Sequence, residues 1–316
     1  MGCGKEKNQD KSYSKKVVLV GNPNVGKSVI FGAFTGRYAT VSNYPGTTVE
    51  VSRGVVTLKG EKTLLIDSPG TNTLVPTSED EVVTRDILIN EEISSVLQVM
   101  DTKNIRRGLL VTLQLAEMDI KVGLSLNMYD EAGEKGFEID VEKLKGIVGT
   151  EVVPTIATQR WGLDKLKATP SLSKNIAELV RYPAQIDKAA RSIEALLPET
   201  VSSRRAISLM LVAGDDTMEG WVKKNLDEAV IKKVFEIVTA LQKRYSEPVG
   251  FIINKLRLAR VDKIVSEVVT MTPVKGGVIS EFIGKWSMHP VGGLFILLGV
   301  LFVMYEFVGV LGAGYF

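Results

Sequence analysis

One cysteine, Cys3, and one histidine, His289, occur in 316 residues. A lone thiol excludes an internal disulfide, and with a single imidazole it excludes a Cys/His zinc site, a pattern that fits a reducing cytosol. The two stand at opposite ends of the chain and are read as incidental rather than as paired ligands. Charge of one sign is also lacking: 39 Lys+Arg against 37 Asp+Glu leave +2. Nucleic acid held by bulk charge is therefore not an expected partner. The N-terminus has no apolar run, since residues 1–11 are polar and mixed in charge. It offers no secretory signal, and the part that follows is expected to stay in the cytoplasm. The Met1-Gly2-Cys3 start invites acylation, but Glu6 stands where that motif needs Ser or Thr. No internal repeat or low-complexity tract is evident.

What is present begins with length, enough for about two globular units with sizeable cores. Charged residues at 24% and hydrophobics at 45% are ordinary for a folded protein. The mean hydropathy of +0.12 is nevertheless high for so charged a chain. The surplus sits at the end, where residues 290–316 hold a single charged side chain, Glu306. As a helix this run is about 40 Å long, against a hydrocarbon core of about 30 Å, and it is expected to span a membrane. Lys255, Arg257, Arg260, Lys263, Lys275 and Lys285 precede it and nothing basic follows, which places everything before Pro290 in the cytoplasm. Phe282 and residues 284–286 suit an interfacial stretch with Trp286 at headgroup depth.

Upstream, apolar runs at 17–20, 63–66, 96–100, 122–126 and 152–153 read as buried strands, alternating with helical periods around 28–34, 105–118 and 141–148. Such alternation implies βαβ units and a mostly parallel sheet with helices on both faces. From about Ser171 the strand signals fade, and 186–197, 204–212, 226–245 and 249–269 read as amphipathic helices. The expected organisation is a polar tail at 1–15, an α/β domain at 16–169, an all-α domain at 170–276, an interfacial segment at 277–289 and a membrane helix at 290–316.

Five segments carry chemistry. Gly21-Asn22-Pro23-Asn24-Val25-Gly26-Lys27-Ser28, with Val29 behind it, follows the first strand and opens a helix, the context a P-loop requires. Its glycines let backbone amides wrap phosphates, Lys27 supplies a point charge to β/γ oxygens, and Ser28 can ligate Mg2+. Asp67-Ser68-Pro69-Gly70 ends the 63–66 strand, where the carboxylate can hold Mg2+ through water and Gly70 can donate to a γ-phosphate. Between them, Tyr44-Pro45-Gly46-Thr47-Thr48 offers a hydroxyl that completes the Mg2+ shell only with a triphosphate, which makes that loop a switch. Asn127-Met128-Tyr129-Asp130 closes the fourth strand; Asp130 can accept from guanine N1–H and its exocyclic amine, a donor pair adenine lacks, while Asn127 ties the loop. Thr155-Ile156-Ala157 would place a backbone N–H near guanine O6. The motif-free alternatives are a small-residue turn for the P-loop and a common D-x-P-G turn at Asp67; the order of the motifs weighs against both.

In this order the residues resemble the TRAFAC class of GTPases. The stretches Asn104-Ile105-Arg106-Arg107-Gly108-Leu109, Leu113-Gln114-Leu115-Ala116-Glu117 and Asn127-Met128-Tyr129-Asp130-Glu131-Ala132 resemble the FeoB family of ferrous-iron transport proteins. Tyr182-Pro183, Arg204-Arg205-Ala206-Ile207 leading to Gly214-Asp215, and Ser280 through Trp286 to His289-Pro290 and Gly293 extend the resemblance through a helical (GDI-like) domain to a first membrane entry. It implies GTP and GDP as ligands with Mg2+, slow hydrolysis, and Thr48 as the switch Mg2+ ligand. Asn24 would help hold a K+ ion beside the phosphates; the plainer reading is that Asn24 caps its own turn. It also implies Fe2+ as the transported ion, the bacterial inner membrane and its lipid as the setting, a homo-oligomer, and further permease segments and small accessory transport proteins as partners. Lys27, Thr48, Gly70 and Asn24 are the expected catalytic set.

Ile156 replaces the serine usual in the guanine loop, and Thr71 occupies the place where Ras-like enzymes orient water with Gln. The chain ends about where the family continues into further membrane segments, and one helix cannot enclose a pore. Glu79-Asp80-Glu81 with Glu91-Glu92 offers oxygen ligands for a divalent ion, or else the acidic first turn and solvated face of a helix. Glu306 within the apolar run is a functional candidate or a paired or near-interface residue. The rivals to a GTPase regulating Fe2+ uptake are a fragment that binds GTP without transport, and a membrane-anchored signalling or assembly GTPase.

Overall fold

The computed structural model describes residues 15–36, 39–58, 60–172, 174–176, 179–272 and 286–312. Cys3, Glu6, Lys275, Phe282 and most of the expected interfacial segment lie outside them.

Alternation along the first strand sets up two cores. In β1 (Lys16–Gly21), Val17 and Leu19 face one side of the sheet, Val18 and Val20 the other, and all four are buried. A strand buried on both faces reads as a continuous apolar run, and this one sits centrally, parallel to β4 (Glu61–Asp67) and β5 (Ser95–Asp101). Outward from β4 lie β3 (Glu50–Leu58) and β2 (Ala39–Asn43), both antiparallel to their neighbours. Beyond β5 come β6 (Lys121–Asn127) and β8 (Val152–Pro154), both parallel.

On one face, α1 (Lys27–Thr35) and α6 (Leu163–Leu172) bury Ile30, Phe31, Phe34, Leu163 and Leu166 against Val17, Leu19, Leu65, Leu97 and Val99. The other face carries α2 (Glu79–Asn90), α3 (Ile105–Glu117) and α5 (Val141–Val148), which contribute Val83, Ile87, Leu109, Leu113, Leu144 and Val148. A mostly parallel sheet with helices on both faces is therefore present. The antiparallel β2–β3 hairpin was not visible as a strand signal, because Ala39–Asn43 is exposed and polar.

A third core lies among α7 (Ala184–Glu194), α8 (Arg204–Ala213), α10 (Glu228–Gln242) and α11 (Val249–Val268), built from Ile186, Ile193, Leu209, Val212, Leu241 and Ile253. The short α9 (Glu219–Asn225) adds Val222 to the larger core. Two details add to the sequence reading here. The expected break at 169–170 falls inside α6, and β9 (Lys174–Asn175) returns to pair with β6 before the chain leaves the sheet. At the end of the helical region, β10 (Val269–Met271) pairs antiparallel with β7 (Phe137–Ile139).

Side chains lock the helical layer onto the sheet layer. Arg257 of α11 bonds Glu117 of α3 at 2.6 Å, and Tyr182 donates to the same carboxylate. Arg106 reaches Asp262 at 2.5 Å. Arg85 of α2 is buried and donates to Thr217.

The described residues from Thr272 onward belong to a second unit. Its helix α12 (Pro290–Met304) starts with Pro290 at the first turn, and His289 Nδ1 accepts from Val291 and Gly292 N–H at 3.3 Å each. The helix widens into π-helical turns over Tyr305–Gly312. Among the described residues it is the one helix long and apolar enough to cross a membrane, over Pro290–Gly309 with mean hydropathy 2.3. Only 6% of that window is buried, unlike the core helix of a soluble protein.

Candidate nucleotide-binding site

The loop between β1 and α1 is shaped by two left-handed residues, Asn24 at φ 63° and Gly26 at φ 85°. At Gly26 a Cβ would lie 2.3 Å from Asn127 Nδ2, so both the dihedral and the space demand glycine. Helix α1 then begins without a side-chain cap, which leaves its first-turn amides facing the loop. This arrangement is suited to an anion.

The ends of β1 and β4 bring the charged groups together. Lys27 Nζ is 2.7 Å from Asp67 Oδ1 and 2.5 Å from the Ser68 carbonyl, while Ser28 Oγ donates to Asp67 Oδ2 at 2.9 Å. Lys27 and Asp67 are nearly buried. Asn22 donates to the Thr71 carbonyl at 3.1 Å and Thr71 N–H to Gly21 at 2.9 Å, stitching this loop to the Asp67–Gly70 segment. A Cβ at Gly70 would come within 3.0 Å of Pro23. Thr71 is fully buried and donates to the Thr73 carbonyl at 2.6 Å, so its hydroxyl serves the loop itself.

The Tyr44–Thr48 loop lies along α2. Thr47 closes a turn onto the Tyr44 carbonyl, and Gly46 takes φ 84° there. Thr48 donates to Glu79 at 3.5 Å; among the described residues it has no hydrogen bond to Ser28 or Asp67. The expected trio of Mg2+ ligands is thus assembled only in part. Burial, with Asp86 and Glu91 nearby, pushes the Tyr44 hydroxyl up from its ordinary range.

Glu81 settles the acidic run. It is buried, and its two oxygens accept from Asn72 N–H at 3.0 Å and Thr77 N–H at 2.9 Å. Among the described residues no three His, Cys, Asp or Glu side chains are grouped to hold a metal ion. The run is a helix start, with Ser78 accepting from Glu81 N–H.

At the far end of the loop, Asn127 Nδ2 donates to the Val25 carbonyl at 2.9 Å, and its Oδ1 accepts from Ala157 N–H at 3.0 Å and Thr155 Oγ1 at 3.2 Å. The segment Thr155-Ile156-Ala157, expected to offer a backbone N–H to a base, is joined to Asn127 through the Ala157 N–H. Met128 adopts φ 57°, turning the chain so that Asp130 enters α4 (Tyr129–Glu134) half-exposed. Gln159 approaches Asp130 at 3.5 Å. Ile156 pairs with Trp161, whose ring stacks on Tyr129. Gln159 and Trp161 were not singled out from the sequence, and no spacing rule marks them; Ser68 entered only as a member of the Asp67–Gly70 motif. Val29 is exposed on the first turn of α1.

The description "Ferrous iron transport protein B" matches residues 15–169, and "FeoB cytosolic helical domain" matches 182–270. The chain belongs to this family. The Fe(2+) transporter FeoB of Methanocaldococcus jannaschii is 34% identical over 273 residues, covering 84% of this chain and 40% of that protein. A fusion of Fe(2+) transport protein A with the Fe(2+) transporter FeoB in Porphyromonas gingivalis is 30% identical, covering 94% of this chain and 37% of the fusion. Among solved structures, a GDP-bound S. thermophilus NFeoB mutant superposes with a TM-score of 0.71 at 29% identity, covering 81% of this chain and all of that one. The chain spans about two fifths of the length of these curated relatives.

Proposed function

We propose that this chain is a GTPase that binds GTP and GDP with Mg2+ between the P-loop and the Asp67 segment, and hydrolyses GTP slowly to regulate Fe2+ uptake. One observation carries the reading: Lys27 and Ser28 converge on Asp67 while Asn127 is tied back to Val25, which joins a phosphate end and a base end in one loop. Hard oxygen donors on Ser28 and Asp67 suit Mg2+. The metal would neutralise charge developing on the phosphates. Lys27 and the α1 amides would hold phosphate oxygens, Gly70 would sense the γ-phosphate, and Asp130 would choose guanine. Thr48 would exchange Glu79 for the metal when the switch closes. The exposed, left-handed Asn24 sits on the crest of the loop, where a K+ ion beside the phosphates would use its side-chain oxygen. With Thr71 turned into its own loop, no Gln-like side chain orients water there, and this favours slow turnover.

Helix α2 links the switch to the helical layer, because Glu79 holds Thr48 at its start and Arg85 grips Thr217 further along. The apolar helix would tether the chain to the inner membrane, with residues before Pro290 in the cytoplasm; a homo-oligomer and an accessory transport protein, fused to the transporter in the Porphyromonas relative, are the proposed partners. Isothermal titration of the chain in detergent micelles with GDP and with a non-hydrolysable GTP analogue, each with Mg2+, tests the site. Heat with guanine nucleotides and none with ADP is expected; equal uptake of both bases would overturn it.

A further inference from the structure

Alternate residues of the 156–161 loop each touch the segment proposed to read the base. Ala157 N–H bonds Asn127, Gln159 approaches Asp130 at 3.5 Å, and the Trp161 ring stacks on Tyr129 with centroids 6.3 Å apart and planes 23° from parallel. The first two contacts use groups that a bound base competes for. The third does not. Tyr129 is anchored in the first turn of α4 between Met128 and Asp130, and its N–H donates to the Thr155 carbonyl at 3.3 Å.

Trp161 is anchored equally firmly on the other side. Its N–H and carbonyl both pair with Ile156, at 3.2 and 3.1 Å, which closes the loop into a small ring of backbone. Gly162 follows at φ 79°, where a Cβ would strike the Pro154 carbonyl at 2.3 Å, so the loop's exit requires glycine. Trp161 is nevertheless 51% exposed, and its contribution to any core is small. An indole held half in water by its own backbone, over a tyrosine of the base-reading turn, is placed to act on the loop.

We propose that Tyr129 and Trp161 form an aromatic latch that holds the 156–161 loop against the Asn127–Asp130 segment and thereby slows the departure of guanine nucleotide. Both are positioning residues, and the inference rests on the guanine reading above. Opening the loop separates the two rings, so the barrier to release includes the loss of their contact. Aromatic pairs of this kind slow such a step by about two- to tenfold.

The test is stopped-flow release of mant-GDP, excited directly at the mant group, from the full chain in detergent micelles. Trp161→Leu and Tyr129→Leu should each speed release about two- to tenfold. The double variant should be no faster than the faster single one, because both remove the same contact. Tyr129→Phe, which keeps the ring, should release at the unaltered rate. Unchanged release in variants that still bind GDP, or multiplied effects in the double variant, overturns the latch and leaves the guanine site standing. Failure of the unaltered chain to bind mant-GDP at all would instead remove the reading on which the latch depends.

Discussion

Arg257 Nη2 lies 2.6 Å from Glu117 Oε2, with both side chains buried where the helical layer meets α3. Burial alone would push the guanidinium pKa down; the Glu117 carboxylate and the Tyr182 hydroxyl more than reverse this, and the pKa is raised. Removing one partner leaves the other charge buried and alone. Arg257→Met should therefore cost about 3–5 kcal/mol of stability, read as a lower urea midpoint by circular dichroism. The double change with Glu117→Leu should recover most of the loss, since a well-packed apolar pair avoids the desolvation cost.

Tyr182 adds a pH dependence at the same junction. Burial, opposed by Arg257 and assisted by Glu117, raises its hydroxyl above the ordinary range. The folded state then holds its proton more tightly than the unfolded chain does. This stabilisation is complete below about pH 10, the unfolded value, and is lost as pH rises above it. Thermal unfolding between pH 9 and 11 should show a downward slope that is shallower in Tyr182→Phe; identical slopes would refute the assignment.

Gly26→Ala forces a side chain into a left-handed position and against Asn127. A collision at 2.3 Å cannot be relieved without displacing the amide that ties the base loop to Val25. A loss of about 1–3 kcal/mol in stability and of measurable GDP binding by titration calorimetry is expected.

Asp130→Asn exchanges an acceptor for a donor where guanine presents two donors. Affinity for GTP should fall by about tenfold or more, while XTP, which carries an oxygen in place of the exocyclic amine, should gain. Competition of both nucleotides against mant-GDP measures the switch. A parallel loss for both would mean that Asp130 only supports the turn.

On the proposed K+ site, phosphate release should be faster in K+ than in Na+, and Asn24→Ala should abolish that difference while leaving the rate in Na+ nearly unchanged. Retained stimulation would return Asn24 to the role of capping its own turn.

Much of the candidate site was legible in order along the chain, because a P-loop and its companion motifs set particular residues at fixed spacing. Gly21 to Ser28, Asp67 to Gly70 and Asn127 to Asp130 announce themselves by glycines, a lysine and carboxylates at strand ends. The central strands were equally plain, since burial on both faces leaves unbroken apolar runs such as 17–20. The exposed β2 hairpin strand, the two-residue β9 and the three-residue β10 carried no such mark. The pairing of β9 and β10 depends on partners far away in sequence, Lys121 for Asn175 and Ile139 for Val269.

The sequence by itself determined that a P-loop, a guanine motif and an apolar helix occur in one chain, because each is written in contiguous residues whose side chains act locally. Only the tertiary structure decided that Thr48 rests on Glu79, that Glu81 serves a loop rather than a metal, and that Trp161 covers Tyr129. These are contacts between residues distant along the backbone or across a turn. Their partners are chosen by packing and by the need to satisfy buried polar groups, for which no local pattern exists.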